Sequence, residues 1–260
     1  MTPRGTTSPT THTITVTGTG PHREILLNRP ERHNAQNLTM WNEITLAVAH
    51  LSADPLVSVV TLRGAGASFS SGIDLDEFTR DGGFIRTLSE HPSGFPDPMM
   101  AMIGEAQEVI TALRRAPFLV VAQLHGASLG AGFQLALACD VRIAADSARL
   151  ALLESSKGLI PDLGATWTLP RLIGPQAALD LMLTGREIDG AHAADLGIVL
   201  RCCRPADLDS TVADYVAAIA SVPRVAIASA KAAVNAPDEN TSMTIAGHGQ
   251  AACIRAAMPR

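Results

Sequence analysis

The sequence predicts an α/β fold, because strand-like runs alternate with helical segments over its first two thirds. Three β-branched runs, VSVVTLRG (57–64), FLVVAQL (118–124) and DVRIAA (140–145), are separated by segments of helical period. After Pro170 the pattern is mostly helical and rich in alanine. Such a region following an α/β core favours an element that packs on the core or on a partner subunit.

The N-terminal third predicts a hairpin followed by an amphipathic helix. ITVTG (14–18) and HREILLN (22–28) are separated by turn residues, which is typical of two paired strands. Apolar residues recur near helical period over 37–53, and Pro55 ends that segment. Residues 80–97 carry Gly, Pro and charge without a period, so we interpret them as a flexible segment over a pocket.

These patterns divide the 260 residues into three parts. Residues 1–13 are rich in Thr and lack the apolar centre of a signal peptide, so they are predicted to form a flexible tail. Residues 14–185 form the predicted α/β core, and residues 186–260 the predicted helical C-terminal region.

Composition excludes several classes of partner. The net charge is −5 and the 20 Lys and Arg are scattered, so we expect no nucleic-acid or anionic-membrane partner. No apolar run approaches the ~18 residues of a membrane span. The four cysteines show neither metal-ligand spacing nor a secreted disulfide pattern. We therefore expect a cytoplasmic protein without a metal site.

Two stretches have the same predicted design of strand, small-residue turn and helix start. They are GAGASFSSGIDLDEF (64–78) and HGASLGAGFQL (125–135). Small residues let a ligand approach the backbone, and free N–H groups at a helix start point towards it. A solvated turn explains either stretch alone about as well. Together they predict two N–H donors aimed at one oxygen, which is an oxyanion hole.

Four blocks of the sequence resemble, in order and spacing, the crotonase family of enoyl-CoA hydratases and isomerases. The blocks are LNRPERHNA (27–35), SFSSGIDL (68–75), GASLGAGFQLALACD (126–140) and ESSKGLIPDLGATWTLPRLIG (154–174). The resemblance implies a crotonase-like fold of repeated ββα units, with a C-terminal region that builds a homotrimer or a dimer of trimers. It also implies an acyl-CoA thioester substrate and no separate cofactor, since coenzyme A is part of the substrate.

The resemblance also assigns binding residues. The two amides that hold the thioester oxygen fall on Ile73 and Ala131, with Gly72, Asp74 and Gly130 beside them. The adenine and phosphate contacts fall on Arg32, His33 and Ala35. For the two charged residues of that group, a solvated loop is an equally good interpretation.

Gln134 and Glu154 determine which reaction the resemblance predicts. Hydratases of this family use two glutamates, at the positions matching Gln134 and Glu154, to hold and activate a water. A glutamine can hydrogen-bond a water but cannot accept a proton as a base. Glu154 therefore remains as the predicted acid and base, and efficient hydration is not expected.

Asp162 supplies a second predicted proton carrier. In the family's dienoyl-CoA isomerases, a Glu and an Asp at the positions of Glu154 and Asp162 move protons at opposite ends of a conjugated system. The alternative is that Asp162 simply begins the turn into the following helix, since Asp is a preferred N-cap residue.

Three functions remain open, of which we favour the first. The chain isomerises an enoyl- or dienoyl-CoA, or it hydrates an enoyl-CoA with Glu154 alone while Gln134 orients the water. The third alternative is an acyl-CoA-binding protein without turnover, against which the presence of Glu154 argues.

Overall fold

A computed structural model describes residues 12–81, 83–90 and 94–258, and its main feature is a six-stranded sheet. The strand order is β1-β2-β3-β4-β6-β9, with β1 and β2 antiparallel and the other pairs parallel. The strands of this sheet are β1 (Ile14–Thr17), β2 (His22–Leu27), β3 (Val59–Gly64), β4 (Leu119–Leu124), β6 (Val141–Ala145) and β9 (Arg201–Cys203).

A smaller three-stranded sheet lies next to it, in the order β5-β7-β8. Its strands are β5 (Ala127–Leu129), β7 (Arg149–Ala151) and β8 (Ile188–Asp189). β5 and β7 are parallel, so the turn after β5 and the turn after β7 leave the sheet at the same edge. This edge brings the start of one helix next to residue 154.

Helices surround the sheets and fill the connections between strands. They are α1 (Leu38–Ala53), α2 (Asp76–Thr79), α3 (Phe84–Ser89), α4 (Pro98–Arg115), α5 (Ala131–Ala138), α6 (Ala165–Thr184), α7 (Gly190–Asp195), α8 (Leu208–Ala220), α9 (Arg224–Val234) and α10 (Glu239–Ala257). Single 3-10 turns cover Pro30–Arg32, Glu154–Lys157 and Pro205–Asp207.

The N-terminal hairpin, α1 and the three β-branched strands are confirmed. β1 pairs with β2 from Ile14 opposite Leu27. α1 begins after Asn37, whose side chain accepts a hydrogen bond from the Met40 amide and so caps the helix. β3, β4 and β6 are buried along almost their whole length, which explains their largely apolar sequences.

The interpretation of residues 80–97 as an aperiodic flexible segment is wrong in part, because α3 lies within it. Phe84 on α3 packs edge-on against Trp41 of α1, with 6.2 Å between the ring centroids. A six-residue helix is too short to give a clear period, which is why the sequence pattern missed it. Residues 82 and 91–93 of the segment, and residues 1–11 of the predicted tail, lie outside the described residues.

The region 186–260 contains two strands that the sequence pattern did not predict. β8 pairs with β7, and β9 extends the large sheet through Ile143 opposite Arg201. These strands have two and three residues, so neither shows an alternating pattern. The remainder of the region, as far as residue 258, is mostly helical, as expected.

α5 is the helix on which the site depends, and all eight of its residues are buried. Seven of them are small or apolar, so the helix can lie wholly inside the protein. Gln134 is the exception. A buried amide requires hydrogen-bond partners, because leaving it unpaired costs free energy of folding.

The C-terminal helices are tied to the core through Lys231 of α9. Its side chain is 4% exposed, and its ammonium lies 2.8 Å from the Asp140 carboxylate. It also donates hydrogen bonds to the carbonyls of Leu113 and Phe118, at 2.7 and 3.1 Å. α10 packs mainly on α9, and Gly249 is its buried residue.

Within the described ranges, no single helix has both the length and the apolar composition to cross a membrane. One pair, Pro205–Ala220 with Arg224–Val234, reaches that length and composition together, but the two helices are bent by 104°.

Replacing Lys231 by Met should destabilise the protein by about 3 kcal/mol, because the change leaves the buried Asp140 carboxylate with the Val120 amide but without its cation, and two buried carbonyls without their donor. The midpoint of urea unfolding, at a fixed protein concentration, measures the effect. Lys157→Met is the matched control, since Lys157 is exposed. Equal midpoints for the two variants would show that Lys231 does not hold the C-terminal helices to the core.

Candidate active site

The two small-residue turns lie against each other, as the sequence pattern predicts. Ser70 and Ser128 form a parallel bridge, and the Leu129 amide donates to the Ser70 carbonyl at 3.0 Å. Gly72 has a φ of 97°, and a Cβ there would lie 2.7 Å from the Leu129 carbonyl oxygen and 3.4 Å from the Ala131 nitrogen. Only glycine allows this approach, which places residues 72–73 next to the start of α5.

The Ile73 and Ala131 amides are therefore donors on adjoining segments. Ala131 is the first residue of α5, so its N–H has no acceptor inside the helix. The residues on either side of Ile73 are both bonded to Gln36. The Gln36 amide donates to the Gly72 carbonyl, and the Gln36 carbonyl accepts from the Asp74 amide. Within the described part of the chain, neither the Ile73 nor the Ala131 amide donates to a protein acceptor. This arrangement can bind one ligand oxygen.

The Glu154 carboxylate lies against the same helix start. Glu154 follows β7 and begins the 3-10 turn Glu154–Lys157. Its Oε1 accepts a hydrogen bond of 2.7 Å from Nε2 of Gln134, and a Cβ on Gly130 would lie 3.5 Å from the same oxygen. Among the described residues, the other oxygen, Oε2, is buried without a protein partner. Oε2 is thus the atom available to exchange a proton with a ligand.

Gln134 links Glu154 to the next segment of the chain. Its Nε2 donates to Glu154, and its Oε1 accepts a hydrogen bond of 2.8 Å from the Leu163 amide. Both ends of the amide are therefore used inside the protein. The amide also has a second N–H and a second lone pair, so the orienting of a water by Gln134 stays a prediction. The role of the Leu163 amide had no signal in the sequence, because any residue can supply a backbone N–H.

Asp162 lies near Glu154 and does not cap α6. That helix begins at Ala165, after Gly164 at the N-cap position, and has no side-chain cap hydrogen bond. Burial raises the pKa of the Asp162 carboxyl. Burial likewise raises the pKa of Glu154, and the charge of Asp162 raises it further, although the hydrogen bond from Gln134 opposes the shift. Asp162 therefore begins the turn that leads into α6 without capping that helix, and it is also a second acid of raised pKa near Glu154.

Asp74 has partners inside the protein, although it was predicted to contact substrate. Its carboxylate accepts hydrogen bonds from Arg29 at 2.8 Å and from Arg32 at 3.2 Å. Burial alone would raise its pKa, but the hydrogen bonds from Arg29 and from the Asp76 amide, with the charges of both arginines, hold the pKa below its usual range. Asp74 thus braces the backbone beside Ile73.

The predicted adenine and phosphate contacts lie on the 3-10 turn and the residues after it. Arg32 is 46% exposed and pairs with Asp76 at 2.7 Å as well as with Asp74. His33 lies 3.3 Å from the Ser68 hydroxyl, and the Ala35 carbonyl accepts a hydrogen bond from Arg29. The turn is therefore next to the 68–76 segment, and the Arg32 guanidinium already has acidic partners.

Two other features bear on the location of the site. A cleft of about 720 Å³ between the end of α5 and helices α6, α8 and α9 includes none of the predicted catalytic residues in its lining. In the ranges that the structure describes, no group of three or more His, Cys, Asp or Glu side chains could hold a metal ion. The candidate site around Glu154 is therefore defined by its hydrogen bonds and its raised pKa values, and it does not coincide with this cleft.

Comparison with known proteins agrees with this geometry. The model of the enoyl-CoA hydratase/isomerase family matches residues 23–251. A probable enoyl-CoA hydratase of Mycobacterium leprae is 36% identical over 217 residues, which are 84% of this chain and 79% of that protein. A peroxisomal Δ(3,5)-Δ(2,4)-dienoyl-CoA isomerase of Arabidopsis thaliana is 32% identical over 212 residues, 80% of this chain and 75% of that protein.

The fold is shared with solved structures. A putative enoyl-CoA hydratase from Thermobifida fusca, in complex with acetoacetyl-CoA, superposes with a TM-score of 0.83 at 35% identity. The superposition covers 94% of this chain and 95% of that one. This chain belongs to the enoyl-CoA hydratase/isomerase family and has its crotonase-like fold, with a helical C-terminal region, as predicted.

Replacing Glu154 by Gln should raise the melting temperature by about 2–4 °C at neutral pH and by much less near pH 4. The pKa of Glu154 is raised in the folded protein, so the stability of the wild type falls as the pH rises from the ordinary glutamate value through the folded value. The variant keeps an acceptor for Gln134 but has no charge to bury.

Thermal unfolding of wild type and variant at the two pH values checks this prediction. Glu105→Gln is the control, because it makes the same change on an exposed part of α4. It should leave the melting temperature unchanged at both pH values. A gain of equal size at both pH values would mean that the buried charge of Glu154 does not destabilise the fold.

Proposed function

We propose that this protein moves a double bond in an enoyl- or dienoyl-CoA thioester, with Glu154 as the acid and base. The observation that carries the proposal is the Glu154 carboxylate, whose Oε1 is held by Gln134 while the buried Oε2 is left for a ligand. The name of the Arabidopsis relative and the acetoacetyl-CoA bound to the Thermobifida structure support an acyl-CoA substrate.

The Ile73 and Ala131 amides act as the oxyanion hole in this proposal. Both donate to the thioester oxygen, and their hydrogen bonds strengthen as negative charge develops there on removal of an α-proton. Loss of one such donor typically costs ~10² to 10³ in rate. The donors are backbone groups on segments that contact each other, so little reorganisation accompanies the reaction.

Two carboxyl groups then account for the movement of protons. Converting a 3,5-dienoyl thioester to a 2,4-dienoyl thioester removes a proton from C2 and adds one at C6, with the double bonds shifting between them. Glu154 takes the first proton through Oε2, and Asp162 delivers the second. Their raised pKa values suit this exchange, because each group can hold a proton closer to neutral pH than an exposed carboxyl can.

Gln134 disfavours hydration as the main reaction. Adding water to a 2-enoyl thioester needs a base for the water and an acid for the α-carbon. Gln134 can be neither, and its amide already bonds Glu154 and Leu163. The second candidate is nevertheless a hydratase running on Glu154 alone, since the Mycobacterium leprae relative is named as a probable hydratase.

We also propose that the protein forms a homotrimer or a dimer of trimers. α6 and α10 expose large apolar side chains that a monomer would leave in water: Trp167, Leu179, Leu183, Met243 and Ile254. Sedimentation of the purified protein gives the assembly mass, and a monomer would contradict this proposal.

Purified protein should isomerise 3-enoyl-CoA or 3,5-dienoyl-CoA faster than it hydrates 2-enoyl-CoA, as followed by ultraviolet absorbance. Glu154→Gln should lower isomerisation by ~10² to 10⁴. Asp162→Asn should lower dienoyl isomerisation more than the 3-enoyl reaction, because only the longer system needs a proton at its far end. Glu105→Gln serves as the control for loss of an exposed carboxylate.

Three outcomes of that experiment separate the alternatives. Rapid loss of 2-enoyl absorbance with slow isomerisation would establish the hydratase. Acyl-CoA binding without any absorbance change would establish a binding protein. Glu154→Gln activity within a few-fold of wild type would exclude Glu154 as the acid and base.

Gln134→Glu should raise hydration of a short 2-enoyl-CoA by at least about tenfold, because it supplies the missing second carboxyl. One oxygen of the new side chain can still accept from the Leu163 amide, and the other would face Glu154 at about the present 2.7 Å. Two carboxyl groups so close cannot both ionise easily, so one keeps a proton to deliver.

Initial hydration and isomerisation rates of variant and wild type give the comparison. An unchanged hydration rate in a folded, substrate-binding variant would show that residue 134 does not limit hydration.

A further inference from the structure

We propose that Gln36 is a positioning residue that aims the Ile73 amide at the substrate oxygen. This proposal rests on the function proposed above, in which that amide is one of the two oxyanion donors. Gln36 lies outside the catalytic residues predicted from the sequence, directly after the LNRPERHNA block. It is completely buried, yet both its backbone and its side chain are bonded around the oxyanion segment.

The backbone of Gln36 fixes the orientation of Ile73. The Gln36 amide donates to the Gly72 carbonyl at 2.7 Å, and its carbonyl accepts from the Asp74 amide at 2.8 Å. These two bonds form a single parallel bridge between Gln36 and Ile73. In such a bridge the central residue's own N–H points to the opposite side, away from the partner. The Ile73 N–H is therefore directed away from Gln36 and, within the described ranges, donates to no protein acceptor, so it can meet a ligand.

The side chain of Gln36 fixes the position of that bridge. Its Oε1 accepts a hydrogen bond of 2.8 Å from the Trp41 indole, and its Nε2 donates to the Ser70 hydroxyl at 3.1 Å. Trp41 is buried in α1, so one end of the amide is anchored to the core. Ser70 is in the first small-residue turn, so the other end is anchored to the segment that carries Ile73.

Ser70 extends the connection to the second donor. Its hydroxyl donates to the Asn34 carbonyl at 2.8 Å and accepts from the Gly72 amide at 3.3 Å. Its carbonyl accepts from the Leu129 amide, two residues before Ala131. The buried amide of Gln36 thus lies in one hydrogen-bonded network with both turns. A shift of this network would change the spacing of the two oxyanion donors, to which reaction rates are sensitive.

A purely structural role for Gln36 predicts a different result from a positioning role. If Gln36 only stabilises the fold, replacing it lowers stability and the amount of active protein. The ligand bound to the folded fraction would still show the wild-type carbonyl polarisation. The test therefore follows the infrared C=O stretch of a 2,4-dienoyl-CoA labelled with ¹³C at the thioester carbonyl. An aligned pair of donors lowers this frequency on binding.

Gln36→Met removes both side-chain hydrogen bonds while keeping an unbranched buried side chain. We expect it to reduce the carbonyl shift by at least about half and to lower kcat by about tenfold to a hundredfold, with KM nearly unchanged. Gln123→Met is the matched control, because Gln123 is also buried and bonded, to Asp209, but lies away from the site. It should lower stability without changing the carbonyl shift.

The outcomes are distinguishable. If wild type shows no carbonyl shift, the proposed oxyanion hole fails and this inference fails with it. If wild type and Gln36→Met show the same shift, only the role of Gln36 is overturned. If Gln36→Met does not fold, Ser70→Ala replaces it, since that change removes the hydroxyl that joins Gln36 to Gly72. A full wild-type shift in folded Ser70→Ala would equally overturn the proposal.

Discussion

The close backbone contact between the turn at 68–74 and the turn at 126–132 is the constraint on which the rest of the site depends. A Cβ on Gly132 would lie 2.3 Å from the Ser70 carbonyl oxygen, so any side chain there would push α5 away from the first turn. The contact brings together the Ile73 and Ala131 amides, neither of which donates to an acceptor among the described residues. It also places the start of α5 where Gln134 reaches Glu154 one turn into the helix.

The chemistry follows from what surrounds Glu154 at that contact. One oxygen is held by a neutral amide, the other is buried without a donor in the part of the chain that the structure describes, and a second acid of raised pKa lies near. Of the two hydrogen-bonded side chains, Gln134 and Glu154, only Glu154 can ionise, and Asp162 is a second acid near it. In the proposed function these two acids move one proton out of the substrate and another into it, while Gln134 supplies no second carboxyl for the addition of water.

The sequence predicted the parts of this arrangement that have a local pattern. Alternation predicted β1 and β2, helical period predicted α1, and the two strand–turn–helix stretches predicted a pair of N–H donors, which the family resemblance assigns to Ile73 and Ala131. α3, β8 and β9 were missed because two to six residues are too few for a period. Contacts between distant segments had no local signal at all. The bonds of Gln134 to Leu163 and of Gln36 to Trp41 and Ser70 become visible only when the chain is folded.

The most direct test of the central claim is the exchange of the α-hydrogens of a 3-enoyl-CoA with solvent deuterium, followed by NMR. If Glu154 is the base and the Ile73 and Ala131 amides stabilise the enolate, wild type should catalyse the exchange at C2. Glu154→Gln should lose it by ~10² or more while still binding the thioester. Exchange that persists in Glu154→Gln at the wild-type rate would contradict the account, because another group would then be removing the proton.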